Sequence, residues 1–157
     1  MSLEQELKLE RPMDDIHHEA VLSIVRTAGL LSLKGATLFR QFDLTEAQFN
    51  VLFSLKYKET VWTQSDLGKR LVVTRASVTS VLDKLESKGL VERHVVEGNR
   101  RIYHVDLTKA GRELIDKVEP RYRENIHEVT ASLDRPTCEA LIQSLERVRQ
   151  NCTRPAD

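Results

Sequence analysis

Apolar residues recur at helical spacing from about Asp14 to Arg40, at Ile16, Ala20, Ile24, Ala28, Leu31 and Leu38. That spacing predicts one long helix with a single apolar stripe, and Gly35 marks a point where it could break. Thr45 is followed three residues later by Gln48, the pairing of a capping box, and Phe49, Leu52, Phe53 and Lys56 continue a second helix. Thr63 and Asp66 repeat the device and open a short helix through Arg70, with Leu67 and Leu71 inward. A break at Val72 and Val73 leads to Thr74, which can cap a longer helix through Lys88 that turns Val78, Val81, Leu82 and Leu85 inward. Gly89 ends it, as glycine does where the chain leaves a helix through positive φ.

The period then changes. LVERHVV and RIYHVDL are β-rich runs separated by Glu97, Gly98, Asn99 and Arg100, which predicts a hairpin with a glycine turn. With a two-residue turn at Gly98 and Asn99, His94 and His104 would face opposite sides of the ribbon, so chelation by that pair is not expected. Thr108 starts another helix containing Leu114, Ile115 and Val118, with a kink expected at Pro120. Asp134 caps the last helix, where Cys138, Leu145 and Cys152 recur every seven residues with Leu141 and Val148 between them. Such an a/d-like seam is too apolar for solvent and reads as a dimerisation surface. There are no internal repeats and no low-complexity linker, so one domain is expected over residues 1–157.

Net charge is zero, yet it is unevenly placed. Residues 62 to 112 hold ten Lys/Arg against six Asp/Glu, whereas 1 to 61 and 113 to 157 each hold seven against nine. A basic middle between acidic ends suits a lobe that meets phosphate, carried on a scaffold that meets a partner chain. The first fifteen residues carry five acids and no apolar run, unlike a signal peptide, and no later stretch approaches the ~18 apolar residues of a membrane span. A soluble, cytoplasmic protein with no membrane partner is expected. The only two cysteines, Cys138 and Cys152, are too few for a disulfide framework. Fourteen helical residues span about 21 Å, far beyond the ~7 Å reach of a disulfide, so they cannot bridge within one helix.

Helix, short helix, sharp turn, longer helix and hairpin form the plan of a winged helix-turn-helix, and the expected fold class is mainly α with a two-stranded β-hairpin. The helix after the turn can enter a major groove about 12 Å wide, led by Thr74, Arg75, Ala76, Ser77, Thr79 and Ser80. Arginine can grip guanine with two hydrogen bonds, hydroxyls serve bases or phosphates, and alanine can touch a thymine methyl. Arg100 and Arg101 at the hairpin tip suit the negative potential of a minor groove, and Lys69 suits phosphate. His17, His18 and Glu19, with Asp14 nearby, diverge too far around a helix for a metal site. Tyr57, Trp62, Phe49 and Phe53 could line a ligand cavity, but core packing is the simpler reading. No phosphate loop, His-Glu-x-x-His or Gly-x-Ser-x-Gly motif is present, so neither an enzyme nor a cofactor is expected.

Four segments together resemble the MarR family over roughly residues 44 to 119: LTEAQFNVL at 44–52, SDLGKRL at 65–71, TRASVTSVLDKLESKGLVER at 74–93 and NRRIYHVDLTKAG at 99–111. The resemblance implies a ligand-responsive transcription regulator, typically a repressor, that binds a pseudo-palindromic duplex as a homodimer. It implies a winged-helix lobe at about 44–112 and dimerisation helices at about 10–43 and 113–152. The family's wing motif Asp-x-Arg falls on residues 99–101; its arginine is Arg101, while its aspartate is replaced by Asn99, an amide that lacks the charge to orient the guanidinium. The cysteine of peroxide-sensing relatives, the first-helix tryptophan of urate-responsive ones and the paired histidines of zinc-sensing ones after the wing have no counterparts, His127 standing alone there. A small-molecule effector is implied, but no residue is assigned to it. The competing readings are a winged helix used only for protein contacts, and a regulator responding to oxidation of Cys138 or Cys152.

Overall fold

The computed structural model describes residues 3–11, 13–70, 75–96 and 99–154, with backbone alone at 75–77, 96 and 99–102. Its elements run α1 (Leu3–Leu7), α2 (Ile16–Arg40), α3 (Glu46–Lys56), α4 (Gln64–Arg70), α5 (Arg75–Ser87), β1 (Val91–Val96), β2 (Asn99–Leu107), α6 (Lys109–Val129) and α7 (Arg135–Thr153). The chain forms two compact units, 1–121 and 122–157.

Local chemistry sets the boundaries in the first unit. Asp15 caps α2 by accepting from the His17 N–H at 2.8 Å, and two such backbone bonds, from His17 and then His18, hold its carboxyl below the usual carboxylate range. At α3 the capping box is complete: Thr45 Oγ1 accepts from the Gln48 N–H at 3.2 Å and Gln48 Oε1 from the Thr45 N–H at 2.9 Å. Gly89 stops α5 with φ +67°, while its N–H donates to Glu86 O and that of Leu90 to Leu85 O. These are the paired bonds of a Schellman motif, and the left-handed residue between them carries no Cβ penalty.

Sequence and structure part at three places in this unit. Gly35 does not break α2, which runs unbroken to Arg40 because nothing there removes a backbone donor; a Cβ at Gly35 would instead meet the Phe39 ring at 3.3 Å. The second difference is that α2 is long and apolar enough, by length and composition, to cross a membrane, even though Arg26 and Lys34 interrupt it. Ile16, Val21, Val25 and Leu33 are all exposed on it, so its apolar surface is displayed within one chain. The third concerns the hairpin. His94 pairs directly with His104, and the register then slips between Val95, opposite Tyr103, and Val96, opposite Asn99. Arg100, Arg101 and Ile102 form a bulge on β2 and Asn99 belongs to the strand, so the expected register fails and the two histidines share one face. Leu71, the Val72–Val73 break, the Thr74 cap and the Glu97–Gly98 turn lie outside the described residues.

The core sits where α3, α4, α5 and the hairpin meet. Leu52, Leu67, Leu82, Leu85, Val105 and Ile115 are fully buried, and Phe49 stacks on Phe39 with centroids 4.3 Å apart. Each such side chain contributes about 1.5–3 kcal/mol on burial. Of the four aromatic residues considered above, Phe49 is core, whereas Tyr57 is half exposed and Trp62 partly so. Gly111, in the first turn of α6, lies against the Leu90 carbonyl, where the Thr108 N–H also donates at 3.2 Å.

The second unit comprises the end of α6 and α7. Asp134 caps α7 as expected, accepting from the Thr137 N–H at 3.0 Å and from its hydroxyl at 2.5 Å. These bonds lower its pKa, so the cap holds above the ordinary value of 3.8 and is lost as pH falls below it. No described residue of α7 is buried; Leu141, Ile142 and Val148 are exposed along it. Pro120 sits inside α6, which continues through it as one element.

Candidate nucleic-acid interface

The short helix α4 is anchored by its first turn. Asp66 Oδ2 accepts from the Thr63 hydroxyl at 2.7 Å and from the Thr63 N–H at 3.0 Å. Those two bonds, chiefly the hydroxyl, hold the Asp66 carboxyl below its usual range, with Lys69 and Arg70 adding smaller attractions. Arg70 lies over the Trp62 ring at 4.4 Å, and Lys69 is exposed beside it in the last turn of this helix.

Helix α5 is seated by Val78, Leu82 and Leu85, all nearly inaccessible, so its opposite side must face outward. Thr79 and Ser80 are exposed there. Gln64 Nε2 donates to Thr79 Oγ1 at 2.6 Å, tying the start of α4 to the outward face of α5. The Thr79 hydroxyl still has its own proton to donate. Gln64 escaped the sequence reading because nothing in its neighbourhood reveals a partner fifteen residues away. Arg75, Ala76 and Ser77 occupy the first turn of α5, with side chains outside the described residues.

The hairpin is clamped to the same body. Lys58 Nζ donates to Val105 O at 2.7 Å and to Asp106 Oδ1 at 2.5 Å. The Val105 N–H donates to Trp62 O at 3.0 Å and Thr63 bridges to His104, so residues 62–63 act as a fragment of a third strand. Arg93, on β1, donates to Asp83 at 2.5 Å and lies 3.6 Å from Glu86, both on α5. These pairs fix the hairpin against α5 and also spend local charge. Arg93 and Lys88, the latter bound to Asp43 at 2.8 Å, are thus committed within the lobe. Asn99, Arg100 and Arg101 fall at the bulged end of β2.

A second polar cluster joins α3 to α6. Glu119, 5% exposed, accepts from Lys56 at 2.6 Å and from the Tyr57 hydroxyl. Lys56 also meets Asp116 at 2.6 Å. Hydrogen bonds to Asp116 and then Glu119 raise the Lys56 pKa above its ordinary 10.5. The sequence shows Asp116 and Glu119 one turn apart on a helix face, but not that α3 supplies their partner.

Comparison with known proteins agrees with this geometry. A family model described as the MarR family matches residues 44–103. The chain is 27% identical over 128 residues to the HTH-type transcriptional regulator PecS of Dickeya dadantii, an alignment covering 80% of this chain and 77% of that one. Over these central residues the chain resembles the MarR family. Among solved structures, the S. aureus MepR–DNA complex superposes on this chain with TM-score 0.77 and 23% identity, covering 83% of this chain and 96% of that one. The organohalide-sensing RdhR-CbdbA1625 regulator, in a 2,4-dichlorophenol-bound form, gives TM-score 0.80 and 16% identity over 91% of this chain and 87% of that one. At such identities the likeness establishes the fold: a helical protein bearing the two-stranded wing of MarR structures.

Proposed function

We propose that this chain is a MarR-family regulator that binds an operator as a homodimer, reading bases with the first turns of α5 and holding phosphate with its hairpin and Lys69. The supporting observation is the seating of α5: buried Val78, Leu82 and Leu85 behind, exposed Thr79 and Ser80 in front. Thr74, Arg75, Ala76, Ser77, Thr79 and Ser80 are assigned to sequence readout. Lys69, Asn99, Arg100 and Arg101 are assigned to the backbone and minor groove, where a bulge re-aims side chains. MepR was crystallised with DNA, which supports this use of the fold. The lobe is assigned to about 44–112 and the dimer surface to 10–43 and 113–152, acting in the cytoplasm as a repressor without enzymatic activity.

Arg75→Ala is expected to relax preference at one defined base pair at a cost of about 1–3 kcal/mol, whereas Arg101→Ala weakens all duplexes alike and flattens the salt dependence. Selection from randomised sites, followed by titration at several salt concentrations, separates the two. Unchanged base preference in Arg75→Ala would remove that residue from direct readout.

The exposed apolar surfaces of α2 and α7 support the dimer. Two reading helices related by a twofold axis meet half-sites about 10 bp apart. Sedimentation at micromolar concentration is expected to show a dimer, and a monodisperse monomer would refute it. The seam also accounts for Cys138 and Cys152 as packing residues, both free thiols, in preference to a redox pair.

An effector is part of the proposal. RdhR-CbdbA1625 has been captured with 2,4-dichlorophenol. In this chain a cleft of about 460 Å³ reaches from Arg40 on α2, past Thr45, to Lys84 on α5 and Lys88 just beyond its end. A ligand there would bear on the last turn of the reading helix. A tenfold loss of DNA affinity requires about 1.4 kcal/mol of discrimination between the two forms.

A further inference from the structure

On the hairpin, Val91, Val105 and Leu107 turn into the core with Arg93, so the alternate positions form the outer face. That face carries Glu92 and His94 on β1 opposite Asp106 and His104 on β2. Directly opposed residues have Cβ atoms about 4.5–5.5 Å apart, within reach of a common ion for two imidazoles. His94 Nε2 lies 3.4 Å from Glu92 Oε1, with both side chains about half exposed. That distance is long for a hydrogen bond. It is close to the roughly 3.3 Å between two ligands that each sit 2.0–2.1 Å from a tetrahedral zinc ion.

Charge on this face favours a cation at the same place. Glu92 and Asp106 are cross-strand partners of like charge, a destabilising pairing. Lys58 neutralises Asp106 at 2.5 Å, leaving Glu92 with His94. Among the described residues no three His, Cys, Asp or Glu side chains converge on one point as they stand, so the His104 ring must turn to join the other two.

We propose that Glu92, His94 and His104 form a surface site for a borderline divalent metal ion such as Zn²⁺, with water completing the coordination. Imidazole nitrogens with one carboxylate suit that class of ion. The ion would staple β1 to β2 beside the bulge at Arg100–Ile102 and stiffen the wing. The site stands whether or not the hairpin touches DNA.

Untagged full-length protein titrated calorimetrically with Zn²⁺ is expected to bind one ion per chain in the micromolar range. His94→Gln and His104→Gln should each weaken binding at least about tenfold, with Glu92→Gln smaller, and His17→Gln/His18→Gln should leave it unchanged. In the parent protein, the ring resonances of His94 and His104 should shift together at one equivalent while that of His127 stays put, a readout independent of how the variants fold. Binding unaffected by either hairpin substitution, or absent at a hundredfold excess of Zn²⁺ over protein, overturns the proposal.

Discussion

Gly111→Ala is expected to destabilise the fold by about 3 kcal/mol, at the upper end for overpacking, because the new methyl has nowhere to go. An ideal Cβ at this position would lie 1.9 Å from the Leu90 carbonyl oxygen and 2.9 Å from its carbon. Both are backbone atoms, so relief requires moving the start of α6 or the strand entrance after Gly89. That junction is pinned by three further bonds. The Thr108 N–H donates to Leu90 O at 3.2 Å, the Thr108 hydroxyl to Gly89 O at 2.7 Å, and the Gly111 N–H to Thr108 Oγ1 at 3.0 Å. Helix propensity would favour alanine by about 1 kcal/mol, so the sign of the measured change decides which effect governs. Urea unfolding of the variant should show a lowered midpoint. Exposed Lys109→Ala, two residues away, should stay within about 0.5 kcal/mol of the parent. A Gly111→Ala protein as stable as the parent would mean that the α5–β1–α6 junction is looser than described.

Lys56→Met is expected to cost about 3 kcal/mol, since it takes the Lys56 ammonium away from the buried Glu119 carboxylate. Glu119 is 6% exposed at the side chain, and its hydrogen bond from the Tyr57 hydroxyl does not replace the charge of the Lys56 ammonium. The reverse change, Glu119→Leu, should cost less, because Lys56 is 22% exposed and retains Asp116 at 2.6 Å. In the double variant the cost should fall well below the sum of the two, as expected when a buried ion pair is replaced by apolar groups. The pH dependence has a definite sign. The folded-state pKa of Lys56 is raised, so its contribution is fully present below 10.5 and is lost as pH rises through the folded value. Denaturation of parent and Lys56→Met at pH 8 and under strongly alkaline conditions should therefore show their gap narrowing. Equal gaps would detach the stabilisation from the ion pair. Because the cluster ties α3 to α6, loss of operator binding without loss of fold would further mark it as the hinge between the reading lobe and α6.

Much of the fold was legible because its signals are local. The Thr45–Gln48 box, the Thr63–Asp66 pair, Gly89 and Asp134 each act on backbone groups within a few residues, so spacing alone reveals them. The apolar stripe of α5 was equally readable, since helical periodicity decides which side chains can reach a core. From that stripe the outward positions of Thr79 and Ser80 followed by exclusion. The seam on α7 could be seen for the same reason, and its residues do stand partly or fully exposed in the single chain.

What the tertiary structure decided depends on residues far apart in the chain. Hairpin register is one case: turn composition suggested a turn at Gly98 and Asn99 with regular pairing beyond it, but clamping of Val105 and His104 by Trp62, Thr63 and Lys58 accompanies a register that places three extra residues on β2. A shift of one position transfers a side chain to the other face of a ribbon, which is why His94 and His104 moved from opposite faces to one. The Lys56–Glu119 pair, the Gln64–Thr79 bond and the contact of Gly111 with Leu90 likewise join separate elements. Periodicity specifies which side of an element is buried; only packing specifies what it is buried against. The chain by itself therefore determined its elements, their caps and the outward face of α5, while the third dimension chose the partners that hold that helix and the hairpin in place.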